Sequence, residues 1–146
     1  MTIVILLIPV LLFAKSYIQY RSMRIQNVHT QEFQEQLIQA IQESDGFDMR
    51  DVAPFEWDKF YIIHPYTTRN QMQNIVGSRW TTAKSYLGFL VEKTVFGENP
   101  LDADEIQELV FLKDGKVVCD TTLMRNDGDF VMVRCGAITP DNALFT

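Results

Sequence analysis

The chain has 146 residues, a formal charge of −6 at neutral pH and 47% apolar residues. That length makes one domain plus a flanking segment. The acidic balance lacks the electrostatic footprint of a nucleic-acid binder and offers no obvious means of lying flat on anionic lipid.

The first fourteen residues, M-T-I-V-I-L-L-I-P-V-L-L-F-A, hold twelve apolar side chains and no charge. A membrane span needs about twenty residues, so the run matches the core of an export signal, with Ala14-Lys15-Ser16 as a cleavage site. Alternatively the helix continues through Tyr17, Ile18 and Tyr20 as an uncleaved single-pass anchor, with Lys15 snorkelling and the tyrosines at the interface. Residues 1–20 are therefore expected to meet the membrane, as signal anchor or signal peptide. Lys15, Arg21 and Arg24 follow the run, which by the positive-inside rule would hold the domain in the cytoplasm. Residues 21–28 read as a polar, basic stalk before an α+β domain at 29–146.

In that domain His29–Ser44 reads as an amphipathic helix, with Phe33, Leu37, Ala40 and Ile41 on one face, Thr30 as N-cap and Gly46 as the stop. Asp48–Glu56 reads as a loop. Trp57–Ile63 has the bulk of a covered strand. His64-Pro65 ends it, because the residue before proline is driven into extended backbone. Thr67 or Thr68 then caps a helix over Arg69–Val76. Thr68 with Gln71 fits a capping box, Met72, Ile75 and Val76 point inward, and Gly77 stops the helix. Thr82–Phe96 reads better as a twisted strand than as a helix, given Gly88, Thr94 and Val95.

The C-terminal part predicts an antiparallel meander. Gln107–Lys113 and Lys116–Leu123 flank Asp114-Gly115, the strongest short hairpin signal. A second hairpin, Lys116–Arg125 with Asp129–Cys135, would turn at Asn126-Asp127-Gly128, with Gly128 left-handed. That register sets Cys119 opposite Cys135, on the face of Val117, Leu123, Val131 and Val133. A non-hydrogen-bonded pair brings the Cα atoms to about 4.5 Å, so Cys119–Cys135 is a candidate disulfide in an oxidising compartment, against two inert buried thiols. The tail is expected to dock Leu144 and Phe145. The helices are expected to pack on one face of the sheet.

The chemical inventory is spare. There is no paired-cysteine or Cys/His metal motif, no Gly-rich nucleotide loop and no G-x-S-x-G elbow. Asp58, His64 and Tyr66 could form an acid–base cluster only across some 20 Å of strand, so His64 reads as scaffolding. No catalytic, cofactor or metal residue is assigned. Trp80, Tyr66 and Tyr86 are the candidate binding-surface aromatics, with Trp80 the one best placed to be exposed.

W-D-K-F-Y-I-I-H-P-Y-T at Trp57–Thr67, then a helix ending at Gly77 and Trp80, together with L-V-F-L-K-D-G-K-V-V at Leu109–Val118 and N-D-G-D-F at Asn126–Phe130, resembles a set of small, functionally uncharacterised envelope proteins and lipoproteins of Gram-positive bacteria. The resemblance covers roughly the last ninety residues of the chain. It implies an extracytoplasmic address and no catalytic residues. The lipobox cysteine of the lipoproteins is missing, so lipid anchoring is not carried over. The expected function is a non-enzymatic, membrane-anchored or exported binding or accessory module, whose partner is a protein or a surface polymer. The alternatives are a small hydrolase-like envelope enzyme, or an inhibitor or immunity protein.

Overall fold

The computed structural model describes residues 2–94, 101, 103–130, 133 and 136–146, with side chains from residue 8 onward. The chain is α+β. Its elements run α1 (Thr2–Met23), α2 (Thr30–Glu43), β1 (Phe47–Asp48), α3 (Met49–Val52), β2 (Lys59–Ile63), α4 (Arg69–Val76), α5 (Tyr86–Glu92), β3 (Ile106–Lys113), β4 (Lys116–Met124) and β5 (Leu144–Phe145). Two sheets form, both antiparallel: β2-β3-β4, and a small pair, β1-β5.

The central hairpin follows from its turn. Asp114 and Gly115 both have positive φ, 51° and 73°, which is the type I′ geometry that matches strand twist. Lys113 accordingly faces Lys116. One irregularity changes the sheet. Phe111 pairs with Cys119 and Leu112 with Val117, leaving Val118 as the extra residue of a bulge. The bulge separates Val117 from Cys119. Val117 packs with Val110, Leu112 and Ile63, while Cys119 packs with Phe60, Leu109 and Phe111 on the other face. Simple alternation had placed Val117 and Cys119 together.

Both faces of the sheet are covered, not one. On the first, Phe33 and Leu37 of α2 and Met49 and Val52 of α3 meet Phe60, Ile62, Leu109, Phe111 and Leu123. Phe60 and Phe111 stack at 4.7 Å, and Phe33 meets Phe111 edge-on at 5.1 Å. On the second face, Met72 and Val76 of α4, with Trp80 and Leu101, meet Ile63, Val110, Leu112 and Val117. Ile75, expected inside, is exposed. The strand expected over Trp57–Ile63 forms from Lys59 onward, and β2 pairs along the edge of β3.

β2 joins β3 and β4 in the sheet, while most of the expected strand after Gly128 lies outside the described residues. Residues 125–127 form a turn, closed by Asp127 N–H donating to the Met124 carbonyl at 3.0 Å. Asp129 and Phe130 are not in a strand. Cys135 lies outside the described residues, and with it the disulfide pairing; Cys119 is a buried thiol. Gly128 does not have positive φ. Its constraint is space, since a Cβ there would meet Ile41 Cδ1 at 2.5 Å. Among the described residues, side-chain amides meet the outer edge of β4. Asn27 Nδ2 donates to the Asp120 carbonyl and Asn27 Oδ1 accepts from Asp120 N–H at 2.9 Å, while Gln34 Nε2 donates to the Thr122 carbonyl at 2.6 Å. This satisfies a strand edge that would otherwise template pairing with another chain.

Several local expectations shift. His29, not Thr30, precedes α2; the Thr30 hydroxyl donates to the Asn27 carbonyl. Residues 82–96 contain the helix α5 rather than a strand, because Ser85 caps it by accepting from Gly88 N–H. In the tail Phe145 stacks on Phe47 at 5.3 Å, but Leu144 is exposed. The expected loop Asp48–Glu56 begins at the last residue of β1 and contains the single turn α3, capped by Asp48.

Residues 21–28 are not a stalk. Tyr20 is buried against Phe89, and Thr81 N–H donates to Met23 C=O while Ile25 N–H donates to Thr81 C=O. Asn27 then grips β4 as described. The end of α1 is thus bolted to the domain, whereas Ile8, Val10, Leu11, Leu12, Phe13 and Ile18 are exposed. Among the described residues no helix is long and apolar enough to cross a membrane, so the expected single-pass span is not shown.

Candidate functional site

The expected aromatic surface does not form. Trp80 is 2% exposed. Its indole Nε1–H donates to the carboxylate of Asp120 on β4, and its carbonyl accepts from Gln73 Nε2 at 3.3 Å. The Gly77–Trp80 loop that was to display it folds back over the sheet instead. Tyr86 is half-buried among Phe13, Tyr17, Tyr20 and Phe89 where α1 meets α5. Tyr66 alone is exposed, in left-handed backbone at φ 62° with its N–H donating to Leu101 C=O at 2.8 Å. The three residues belong to three different settings.

Nor do Asp58, His64 and Tyr66 converge on chemistry. Asp58 accepts from Asp114 N–H at 2.6 Å and from Lys113 Nζ at 2.9 Å. These bonds hold its carboxyl below the usual carboxylate range, the backbone N–H first. That is the hairpin end of the sheet. His64 is at the far end of β2, where its carbonyl accepts from Thr67 Oγ1 at 2.7 Å. Thr68 is the cap of α4, in a full capping box with Gln71, and Gly77 closes the helix at φ 71°. The histidine corner is built from these start and stop signals.

A polar site that the sequence reading missed lies between α1, α4 and α5. A cavity of about 330 Å³ is lined by Gln19 and Met23 of α1, Arg69, Asn70 and Gln73 of α4, and Arg79, Trp80, Phe89, Glu92 and Lys93. Among the described lining residues, three cations accompany one carboxylate. Glu92 accepts from the Thr81 hydroxyl, and Lys93 donates to Gln19 Oε1 at 2.8 Å while sitting 4.2 Å over the Phe89 ring. The Arg69 Nε is buried without a hydrogen-bond partner. Arg79 is exposed. Beside this cavity a second, of about 370 Å³, includes Arg24, Asn27, Thr30 and Lys84 in its lining.

Behind Trp80, on the same sheet face, lie two buried carboxyls, Glu108 of β3 and Asp120 of β4. Burial, and then the neighbouring Asp120, raise the Glu108 carboxyl well above the usual range, with Arg69 opposing weakly. Burial thus favours the protonated form of Glu108. Neither carboxyl lines the cavity in front of Trp80, so the pair serves the interior rather than a ligand. Burial likewise pushes the Cys119 thiol up to about 12, which leaves it unreactive at neutral pH.

One sequence signal could have found the cationic site. Between Asp58 and Glu92 the chain has no acidic residue, while Lys59, Arg69, Arg79 and Lys84 fall in that interval. An average over the whole acidic chain hides the segregation. Among the described residues no group of His, Cys, Asp and Glu could hold a metal ion. No protein-family model matches this chain, and no curated protein and no solved structure compared with it is significantly similar.

Proposed function

We propose that this chain is a non-enzymatic binding or accessory module held at a membrane surface by α1. The observation that supports this is the contrast along that one helix. Its C-terminal end is locked into the domain by Tyr20 and Met23, while its preceding apolar residues Ile8, Val10, Leu11 and Leu12 are exposed, and Phe13 meets only the edge of the domain at Tyr86. Exposed apolar runs of this kind are sites of contact with a partner or with lipid. The apolar residues surround the helix axis rather than striping one side, so lipid on all sides suits them better than a protein groove. From Thr2 to Phe13 the helix rises about 18 Å, close to half of a hydrocarbon core of about 30 Å. Such a length reaches through about one leaflet.

The resemblance to envelope proteins implies that the domain faces outward, towards a protein or surface-polymer partner. Flotation of the full chain with lipid vesicles tests the tether. The chain is expected to float, and Ile8→Ser/Leu11→Ser/Leu12→Ser to remain at the bottom with an unchanged circular dichroism spectrum. Parent chain left at the bottom would refute the tether. Protease added to intact cells tests the side, with digestion of the domain expected.

A further inference from the structure

We propose that the root of α1 is a binding site for the phosphate headgroup of an anionic lipid, a reading that rests on the tether proposed above and goes beyond it. Three observations converge there. The first is charge. The two cavities flanking the last turns of α1 are lined by Arg24, Arg69, Arg79, Lys84 and Lys93, with Glu92 the one carboxylate among the described lining residues. The domain's acidic average argued against contact with anionic lipid; the placement of these side chains reverses that argument. α2 packs on the other face of the sheet through Phe33 and Leu37, and only Thr30 at its start reaches the lining of the second cavity.

The second is height. Gln19, which lines the larger cavity, lies six residues after Phe13, or about 9 Å along the helix. The headgroup layer of one leaflet is about 5–8 Å deep. With the apolar length of α1 in hydrocarbon, Gln19 therefore comes to the outer edge of the headgroup layer, from which lysine and arginine side chains reach back to the phosphates. Lys15 and Tyr17 fall between, at the boundary such residues favour.

The third is a second apolar contact beside the first. α5 packs on α1 through Tyr86 and Phe89, and turns Leu87, Leu90 and Val91 to solvent at i, i+3 and i+4. Leu87 is 71% exposed. Lys84 and Lys93 flank this stripe. An apolar stripe edged by lysines, next to an inserted helix, suits the acyl boundary. Arg69 supplies a guanidinium whose Nε has no partner, at a cavity large enough for a phosphodiester. Arg79 and Lys93 supply two exposed cations in the same lining.

The test is flotation of the full chain with vesicles of phosphatidylcholine alone and of phosphatidylcholine with phosphatidylglycerol, at low and high salt. A cation close to an anionic surface is worth roughly fivefold in affinity. Binding on the order of tenfold tighter to the anionic vesicles is expected, with the difference lost at high salt. Arg79→Gln/Lys93→Gln, both exposed and so tolerated by the fold, should abolish the preference and keep the binding to neutral vesicles. Arg69→Gln should do the same where it folds. Leu87→Ser/Val91→Ser should weaken binding to both vesicle types. Equal affinity for the two vesicles would overturn the headgroup site and leave the tether standing. No flotation with either would overturn the tether itself. Inorganic phosphate at millimolar concentration should compete only weakly; full displacement by it would assign the cavity to a soluble phosphate compound instead of a lipid.

Discussion

The Trp80 indole donates a hydrogen bond to the Asp120 carboxylate, joining residues forty positions apart inside the domain. Trp80→Phe keeps much of the apolar volume and removes the donor. A buried acceptor left without its partner costs about 1–3 kcal/mol, and the missing ring volume adds to this. Urea unfolding should show a loss of at least that size. A loss within about 0.5 kcal/mol, the ordinary range for an exposed position, would mean that the indole bond does not form.

Glu108 makes stability depend on pH in the direction opposite to most carboxylates. In the unfolded chain it ionises near its ordinary value of about 4.3, while in the fold burial and Asp120 keep it protonated far above that. Its contribution is complete below the unfolded value and falls as pH rises towards the folded one. Glu108→Gln keeps a donor towards Asp120 and cannot ionise. The melting temperature of the variant should match the parent at pH 4 and exceed it by several degrees at pH 8, since about 1 kcal/mol shifts a domain of this size by a few degrees. Parallel melting curves at both pH values would exclude a buried proton at this position.

Asn27 stands where a neighbouring strand would, with its amide bonded to both backbone groups of Asp120. Its own backbone is left-handed at φ 53°, a conformation asparagine accepts more readily than most residues. Asn27→Leu should cost about 2 kcal/mol, combining two lost hydrogen bonds with backbone strain. It should also accelerate amide exchange at Asp120. The freed edge of β4 should raise light scattering on storage. Unchanged exchange at Asp120 would count against the clamp.

Two glycines in the C-terminal half are held for different reasons, and substitution separates them. Gly115 has φ 73° and open space around its Cα, so Gly115→Ala pays only left-handed strain, about 1–2 kcal/mol. Gly128 lacks that backbone but faces Ile41 Cδ1. Gly128→Ala should therefore destabilise the parent and be partly rescued by Ile41→Val, while Gly115→Ala should not be rescued by it. Chemical unfolding of the four variants reads both effects. Equal rescue at the two sites would refute the distinction.

Much of the scaffold was legible before any coordinates. The Asp114-Gly115 turn, the Thr68–Gln71 capping box, the Gly77 stop and the α2 stripe of Phe33 and Leu37 all appear as the sequence implies. Each is decided by hydrogen bonds and torsions within a few residues, so the local sequence is sufficient. The helix α5 was misread although its cap, Ser85, was in plain view, because Gly88 and the β-branched residues after it weighed on the other side.

What lay beyond the sequence depends on which distant segments meet. Trp80 looked exposed from its loop, and only the approach of Asp120 gives its polar edge a buried partner. The Val118 bulge separates Val117 from Cys119, which simple alternation placed on one face. The cations at the root of α1 come from α4, from the loop before Trp80 and from the end of α5, and no spacing rule joins them. The sequence alone determined the Asp114-Gly115 turn, the Gly77 stop and the apolar character of α1, because those are short-range consequences of backbone torsion and side-chain type. Tertiary structure alone decided what is buried, which face each strand residue takes and where charge concentrates, because burial and electrostatic potential are properties of positions in space rather than positions in the chain.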